Sequence, residues 1–155
     1  MTHAPTVPTL SHAFDVVVRL GPLADHGHTR AGHRRVIPIV GGQVSGGLDA
    51  GILPGGADWQ VVREDGAIEV DGRYTARTPD GELLYLQVRG IRTGPPEVLS
   101  ALLEGEDIAP DRYYFRTVIT IETASAALAH LEHAVFVASC VREADAVRYA
   151  AYGVT

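Results

Sequence analysis

The chain contains no lysine. All 13 of its basic residues are arginine, so Schiff-base catalysis, pyridoxal phosphate anchoring and the lysine grip of a P-loop are excluded. A single cysteine, Cys140, forbids an intramolecular disulfide and fits a reducing compartment. Its flanks, FVAS and VRE, read as strand, and no activating pattern accompanies it, so the thiol reads as a small buried hydrophobe. There is no basic block, and the formal net charge is −6. The electrostatic attraction behind most nucleic-acid affinity is therefore missing, and no nucleic-acid partner is expected. No apolar run approaches the roughly 20 residues of a membrane span, and MTHAPTVPTLSH lacks the positive start and apolar core of a signal peptide. These absences predict a cytoplasmic protein with no membrane partner.

What is present is a length of 155 residues with 46% apolar composition, enough for one domain with one core. Residues 1–12 read as a flexible lead and residues 13–155 as a single domain. AFDVVVRL (residues 13–20) is valine-rich and reads as a strand, and GPLADHGHTRAGH as a loop. RRVIPIVGG and GQVSGGL resemble short strands broken by Pro38 and glycines, a pattern that suits bends and bulges.

Two turns share one chemistry. Arg63-Glu64-Asp65-Gly66-Ala67 and Thr78-Pro79-Asp80-Gly81-Glu82 carry Asp-Gly between strand-like runs, as in a three-residue hairpin loop with a glycine bulge. In the second hairpin that loop sets Ala76 opposite Leu84, Tyr74 opposite Leu86 and Gly72 opposite Val88. These residues then share an apolar face, with Arg73, Thr75, Arg77, Tyr85, Gln87 and Arg89 on the other. A two-residue loop would instead set Arg73 and Arg77 beside Leu84 and Leu86, at a large desolvation cost. The same loop in the first hairpin pairs Val62 with Ile68, Gln60 with Val70 and Asp58 with Gly72. Asp58 and Gln60 thus point inward, with Tyr74 as the diagonal neighbour of Asp58. Parity sends Trp59 outward unless the glycines of LPGGAD introduce a bulge.

PPEVLSALLEGE reads as a short helix ending at Gly105. SAALAHLEHA reads as a second, with Ser125 as N-cap. YYFRTVITIET, AVFVASCVR and AVRYAAYGV are strands. Many short strands and two brief helices make an all-β pattern, and the glycine load favours a small closed antiparallel β-barrel over a flat sandwich.

The blocks GHRRVIPIVGGQVSG, ILPGGADWQVVREDG, RYTARTPDGELLYLQVRGIR, PPEVLSALLEGEDIAPDRYYFRTVITIET and FVASCVR resemble, in that order and spacing, the family called domain of unknown function 3237, or UPF0311. The resemblance runs from Gly32 to Tyr152 and is most specific in GGADWQ and YYFRT. It implies a small antiparallel β-barrel broadly of the lipocalin or calycin type, and no established common activity. Ile121-Glu122 stands where the family usually has phenylalanine before the glutamate. Ala129-His130-Leu131-Glu132 replaces a segment that usually contains tryptophan, leucine and asparagine.

Asp58 and Tyr74 are the candidate catalytic pair. Burial raises a carboxyl pKa toward the working range, and a positioned phenol can donate to a developing oxyanion. Alternatively, Asp58 satisfies backbone amides and Tyr74 is a core residue with a bonded hydroxyl. The candidate substrate-binding residues are Gln60, Trp59, His33, Tyr114, Arg116 and Glu122. In YYFRTVITIET, alternation separates Phe115, Ile119 and Ile121 from Tyr114, Arg116, Val118, Thr120 and Glu122. Hydrophobicity makes the odd face the core, whereas a ligand-binding barrel can admit a polar stripe in which Arg116 clamps an anionic group. His33, beside two arginines, suits a barrel mouth. The remaining histidines lack the spacing of a zinc site, and the glycine clusters lack the strand, GxGxxG, helix order of a dinucleotide site. No metal or cofactor is expected. The functional expectation is a small-molecule-binding barrel performing acid–base isomerase, lyase or cyclase chemistry on a compact oxygen-containing substrate. Its alternatives are a non-catalytic ligand carrier and a structural module. Strand edges near Gly41–Leu48 or Ala146–Tyr152 could support a homodimer.

Overall fold

Pro38 and the glycines of residues 32–45 bend one long strand; they do not separate two short ones. In the computed structural model, which describes residues 1–155, β3 spans Gly32–Ser45. Its register against β1 (Leu10–Leu20) pairs Leu20 with Ile39 and Arg19 with Gly41, leaving Val40 as a bulged, exposed residue. Before the bulge β3 pairs with β2 (Ala24–Thr29) and β5 (Gly56–Val62); after it β3 pairs with β1 and β4 (Ala50–Ile52). A bulge bends a strand in this way and raises its local twist, which helps a sheet turn a corner. The segment expected as a loop contains β2, an exposed strand whose histidines, glycine and aspartate give no apolar alternation to read.

The other strands are β6 (Ile68–Arg77), β7 (Leu83–Thr93), β8 (Tyr114–Thr123), β9 (Val135–Arg142) and β10 (Ala146–Val154). They run antiparallel in the order β6, β7, β8, β9, β10, β1, and β1 closes onto β3. With β5 between β3 and β6, the result is the expected closed antiparallel barrel, of eight strands. β4 continues the row of β5 beyond the break at Leu53–Gly55. β1 starts at Leu10, three residues before the expected strand. The segments expected as free edges, in β3 and β10, are each paired on both sides. They offer no edge to a second copy, because closure removes it.

Both hairpins have the expected register. Arg63 N donates to Ala67 O and Thr78 N to Glu82 O, with Gly66 and Gly81 at φ +88° and +86°. Asp58 stands opposite Gly72, Val62 opposite Ile68, and Tyr74 opposite Leu86. Along β6 and β7 the inward residues include Tyr74, Ala76, Leu84, Leu86 and Val88, all buried in one core.

The first expected helix is α1 (Pro96–Leu103), which buries Val98 and Leu102 and is followed by Gly105 at φ +84°. The second is not a helix. Only a single 3-10 turn forms at Ala129–Glu132, with Leu131 buried, and the Ser125 hydroxyl binds Glu82 and caps nothing. Alanine's helix propensity is a few tenths of a kcal/mol per residue and yields to such packing. A further 3-10 turn spans Pro110–Arg112.

At Gly90, an inward position of β7, neighbouring strands approach closely: a Cβ there would lie 2.1 Å from Arg116 O. At Gly72 a Cβ would meet nothing nearer than 3.7 Å. Gly90→Ala should therefore cost about 1–3 kcal/mol or more in denaturant unfolding, while Gly72→Ala changes stability by roughly 0.5–1 kcal/mol. Equal stability of the two variants would refute this account of the wall.

Candidate functional site

Period-two alternation in a closed barrel assigns each side chain to the interior or to solvent. Asp58, on β5, faces inward between Ile37 of β3 and Gly72 of β6. Gly72 presents no side chain there, and the Tyr74 ring leans toward the vacated space, its Cε1 3.9 Å from where a Cβ would stand. The result is a cavity of about 50 Å³, room for a few water molecules by size. Its wall is mainly apolar, from Val18, Leu20, Ile39, Val70, Val88 and Phe115, with Asp58, Tyr74, Tyr149, Thr117 and Cys140 as its polar members.

Asp58 accepts hydrogen bonds from the Asp71 backbone N–H at 2.9 Å and from Gln60 Nε2 at 2.8 Å. Both favour the ionised form, but burial outweighs them and raises the carboxyl above its ordinary pKa. No cation lies within ion-pairing distance of Asp58. The Asp71 bond is the backbone-amide satisfaction that a purely structural aspartate would show. It occupies one oxygen, leaving lone pairs on both.

The Tyr74 hydroxyl is hydrogen-bonded to that of Tyr149, on β10. Burial raises the pKa of both phenols, which stay neutral at physiological pH. A pair of hydroxyls shares one hydrogen bond and keeps one further O–H. That proton has no acceptor in the protein and is free for a cavity ligand. Cys140 is buried against Thr117, and burial pushes its thiol up to about 11, in keeping with an inert wall residue.

The structure divides the other candidates. Gln60, 2% exposed, sits inside and holds Asp58. His33 is at the rim on the inward side of β3, hydrogen-bonded to Asp25 Oδ1 at 2.7 Å. Trp59 is 38% exposed and faces outward beside Arg34 and Arg73, as parity requires, since no bulge intervenes. Tyr114, Arg116 and Glu122 also lie on the outer face, because Phe115, Thr117, Ile119 and Ile121 fill the interior side of β8. Arg116 bonds the Phe115 carbonyl and stacks over Tyr114, and Glu122 lines an outer groove with Glu82 and Glu132. None of these three meets Asp58. No group of three or more His, Cys, Asp or Glu comes together in an arrangement that could hold a metal ion. No helix is long and apolar enough to cross a membrane.

Sequence reasoning missed Tyr149 and three inward arginines. Arg92 continues the inward row Leu84, Leu86, Val88, Gly90 on β7 and is 5% exposed. Arg35 stands opposite Gln60, and Arg142 ends β9. The signal for Arg92 was available: the parity that put Leu84 inside reaches it four two-residue steps along.

Fold and site define a class, a small closed antiparallel β-barrel with one carboxylate and a phenol pair around an internal cavity. The profile of the family described as protein of unknown function (DUF3237) matches residues 8–154, and the chain belongs to that family. The UPF0311 protein of Bradyrhizobium diazoefficiens is 41% identical over 143 residues, 92% of this chain and 93% of that one. A crystal structure of a conserved protein of unknown function from Rhodopseudomonas palustris superposes with a TM-score of 0.90 at 36% identity, over 99% of this chain and 100% of that one. A structure described as an enzyme from Penicillium herquei shares the fold at 17% identity, with a TM-score of 0.72 over 100% of both chains.

The raised Asp58 pKa has a signed consequence for stability. The folded state holds this proton more tightly than the unfolded chain, so the contribution is full below the unfolded value of about 3.9 and is lost as pH rises through the folded pKa. Across that window the wild type should lose stability relative to Asp58→Asn, compared by denaturant unfolding at a series of pH values. A difference that moves the other way, with the wild type gaining on the variant, would show that the hydrogen bonds to Asp58 outweigh its burial.

Proposed function

We propose that the barrel interior binds a compact oxygen-containing molecule and acts on it by acid–base catalysis, without a cofactor, in a reaction of the isomerase, lyase or cyclase type. The observation that carries this reading is a carboxyl with raised proton affinity facing the same apolar cavity as an uncommitted phenol proton. In the ionised form, Asp58 takes a proton from a carbon or hydroxyl next to a carbonyl. The Tyr74–Tyr149 pair donates its free O–H to the oxygen on which charge develops, and Asp58 then returns the proton at a different atom. Gln60 fixes the Asp58 carboxylate with one of its two amide N–H groups; the phenols line the cavity and Gln60 does not, so the oxyanion falls to them. Apolar walls exclude water and strengthen each of these interactions. The Penicillium herquei protein, described as an enzyme, is in keeping with catalysis on this fold.

The test is hydrogen–deuterium exchange at acidic C–H positions of compact 1,3-dicarbonyl compounds in D2O, followed by proton NMR. The wild type should exchange them above the buffer rate. Asp58→Asn, which keeps the size of the side chain, should lose that increment by about 100-fold or more, the usual range for a general base. Tyr149→Phe should lower it less, since one hydroxyl remains. Exchange at the same rate in wild type and Asp58→Asn refutes acid–base catalysis by Asp58. Binding without exchange would make the barrel a carrier.

A further inference from the structure

The α1 end of the interior carries a charge arrangement that the acid–base reading does not use. Arg92 is 5% exposed, and its Nε and Nη1 have no hydrogen-bond partner. Its guanidinium lies 5.0 Å over the ring of Phe115, which also lines the cavity. The Nε of Arg35, on the inward side of β3, is likewise buried without a partner. Arg142 closes the group from β9; its Nη1 donates to the backbone carbonyls of Glu143 and Ala146, and its charge adds to the field at this end. Asp58 is the inward anion, Asp25 lies near Arg35 and Asp145 near Arg142, and none of them stands within ion-pairing distance of the three guanidiniums.

Three guanidiniums facing one interior, two of them with buried N–H groups unmet, are costly to maintain. Each unpaired buried donor has lost its hydration without a replacement partner, a cost that grows when the donor carries charge. Repulsion from Arg142 adds to the burial that pushes Arg92 down to about 10. Bound anion would relieve both costs. Arg35 and Arg142 are only partly buried, so this end keeps contact with solvent.

We propose that this end of the barrel is a subsite for the carboxylate, or an equivalent delocalised oxyanion, of a compact organic ligand, gripped by Arg92 and Arg35. The planar fork of a guanidinium matches a carboxylate with two parallel hydrogen bonds. Arg35 faces Gln60, and Gln60 holds Asp58. A ligand anchored by its anionic group therefore extends its apolar body along the Phe115 and Val88 wall toward the acid and the phenol pair. The substrate is then an organic anion, a statement that rests on the acid–base reading of Asp58. The subsite itself does not, so its test reads binding alone.

The experiment is calorimetric or NMR titration of the intact protein, in buffer low in competing anions, with matched pairs of carboxylate and neutral amide: acetate and acetamide, isobutyrate and isobutyramide, benzoate and benzamide. At least one carboxylate should bind tenfold or more tightly than its amide and shift the Arg92 Nε–H resonance. Arg92→Met should abolish that preference, and Arg116→Met, on the outer face, should retain it. Arg92→Met should also melt no lower than the wild type, because it replaces an unpaired buried charge with a well-sized apolar chain. No preference for the carboxylate in any pair, or preference unchanged in Arg92→Met, would overturn the proposal. A large loss of stability in Arg92→Met would also do so, by showing that the guanidinium is already satisfied. If the subsite stands while C–H exchange fails, the protein is an anion carrier; if exchange occurs without carboxylate preference, the acid–base reading survives alone.

Discussion

Closure of the sheet between β1 and β3 is the constraint from which the site follows. Once a sheet closes, one face of each strand is shut away from bulk water, and alternation decides which residues share that space. Most inward positions carry aliphatic or aromatic groups that pack into a single core. Asp58, Gln60 and Arg92 are inward as well, because their places in the ladder leave them no other face. Their chemistry is therefore exercised where water is scarce, charges are weakly screened and proton affinities move.

The interior changes character along the barrel. Toward the 3-10 turn at Ala129–Glu132 it is filled by Phe14, Ala76, Leu84, Phe136 and Leu131. Around Gly72 the absence of one side chain opens a cavity between Asp58 and the tyrosine pair. Toward α1 the wall becomes cationic through Arg35, Arg92 and Arg142. A well-packed end supplies stability, which suits a far end whose guanidiniums are not fully satisfied within the protein. Local departures from ideal packing of this kind concentrate at functional sites.

Much of this was legible in the sequence, and the misses have particular physical causes. The Asp-Gly turns marked two hairpins, the cost of burying Arg73 and Arg77 chose the three-residue loop over the two-residue one, and that loop length sets the register. That register alone placed Asp58 opposite Gly72 and beside Tyr74. Tyr149 could not be found in the same way: it meets Tyr74 across the barrel, a contact 75 residues apart that only closure creates. On β8 hydrophobicity made the odd-numbered face the core, while a ligand-binding barrel could have turned the polar stripe inward; Phe115 and Ile119 take the interior, so Arg116 goes out. The guanidinium that does face the interior is Arg92: the parity that put Leu84 inside reaches it, although its row of small and aliphatic residues does not lead one to look for a charge at the end. The alanine-rich segment after Thr123 looked helical by propensity, but its task is to fold across a barrel end, which a single turn achieves.

The central claim is that the working surface of this protein is the inside of the barrel. The most direct measurement is a crystal structure of the protein isolated from producing cells and saturated with the tightest-binding small carboxylate. The account predicts density inside, with the carboxylate on Arg92 and the remainder of the molecule against Asp58 and the hydroxyls of Tyr74 and Tyr149. Density on the outer face at Tyr114, Arg116 and Glu122, with an interior closed around a fully satisfied Asp58, would contradict it.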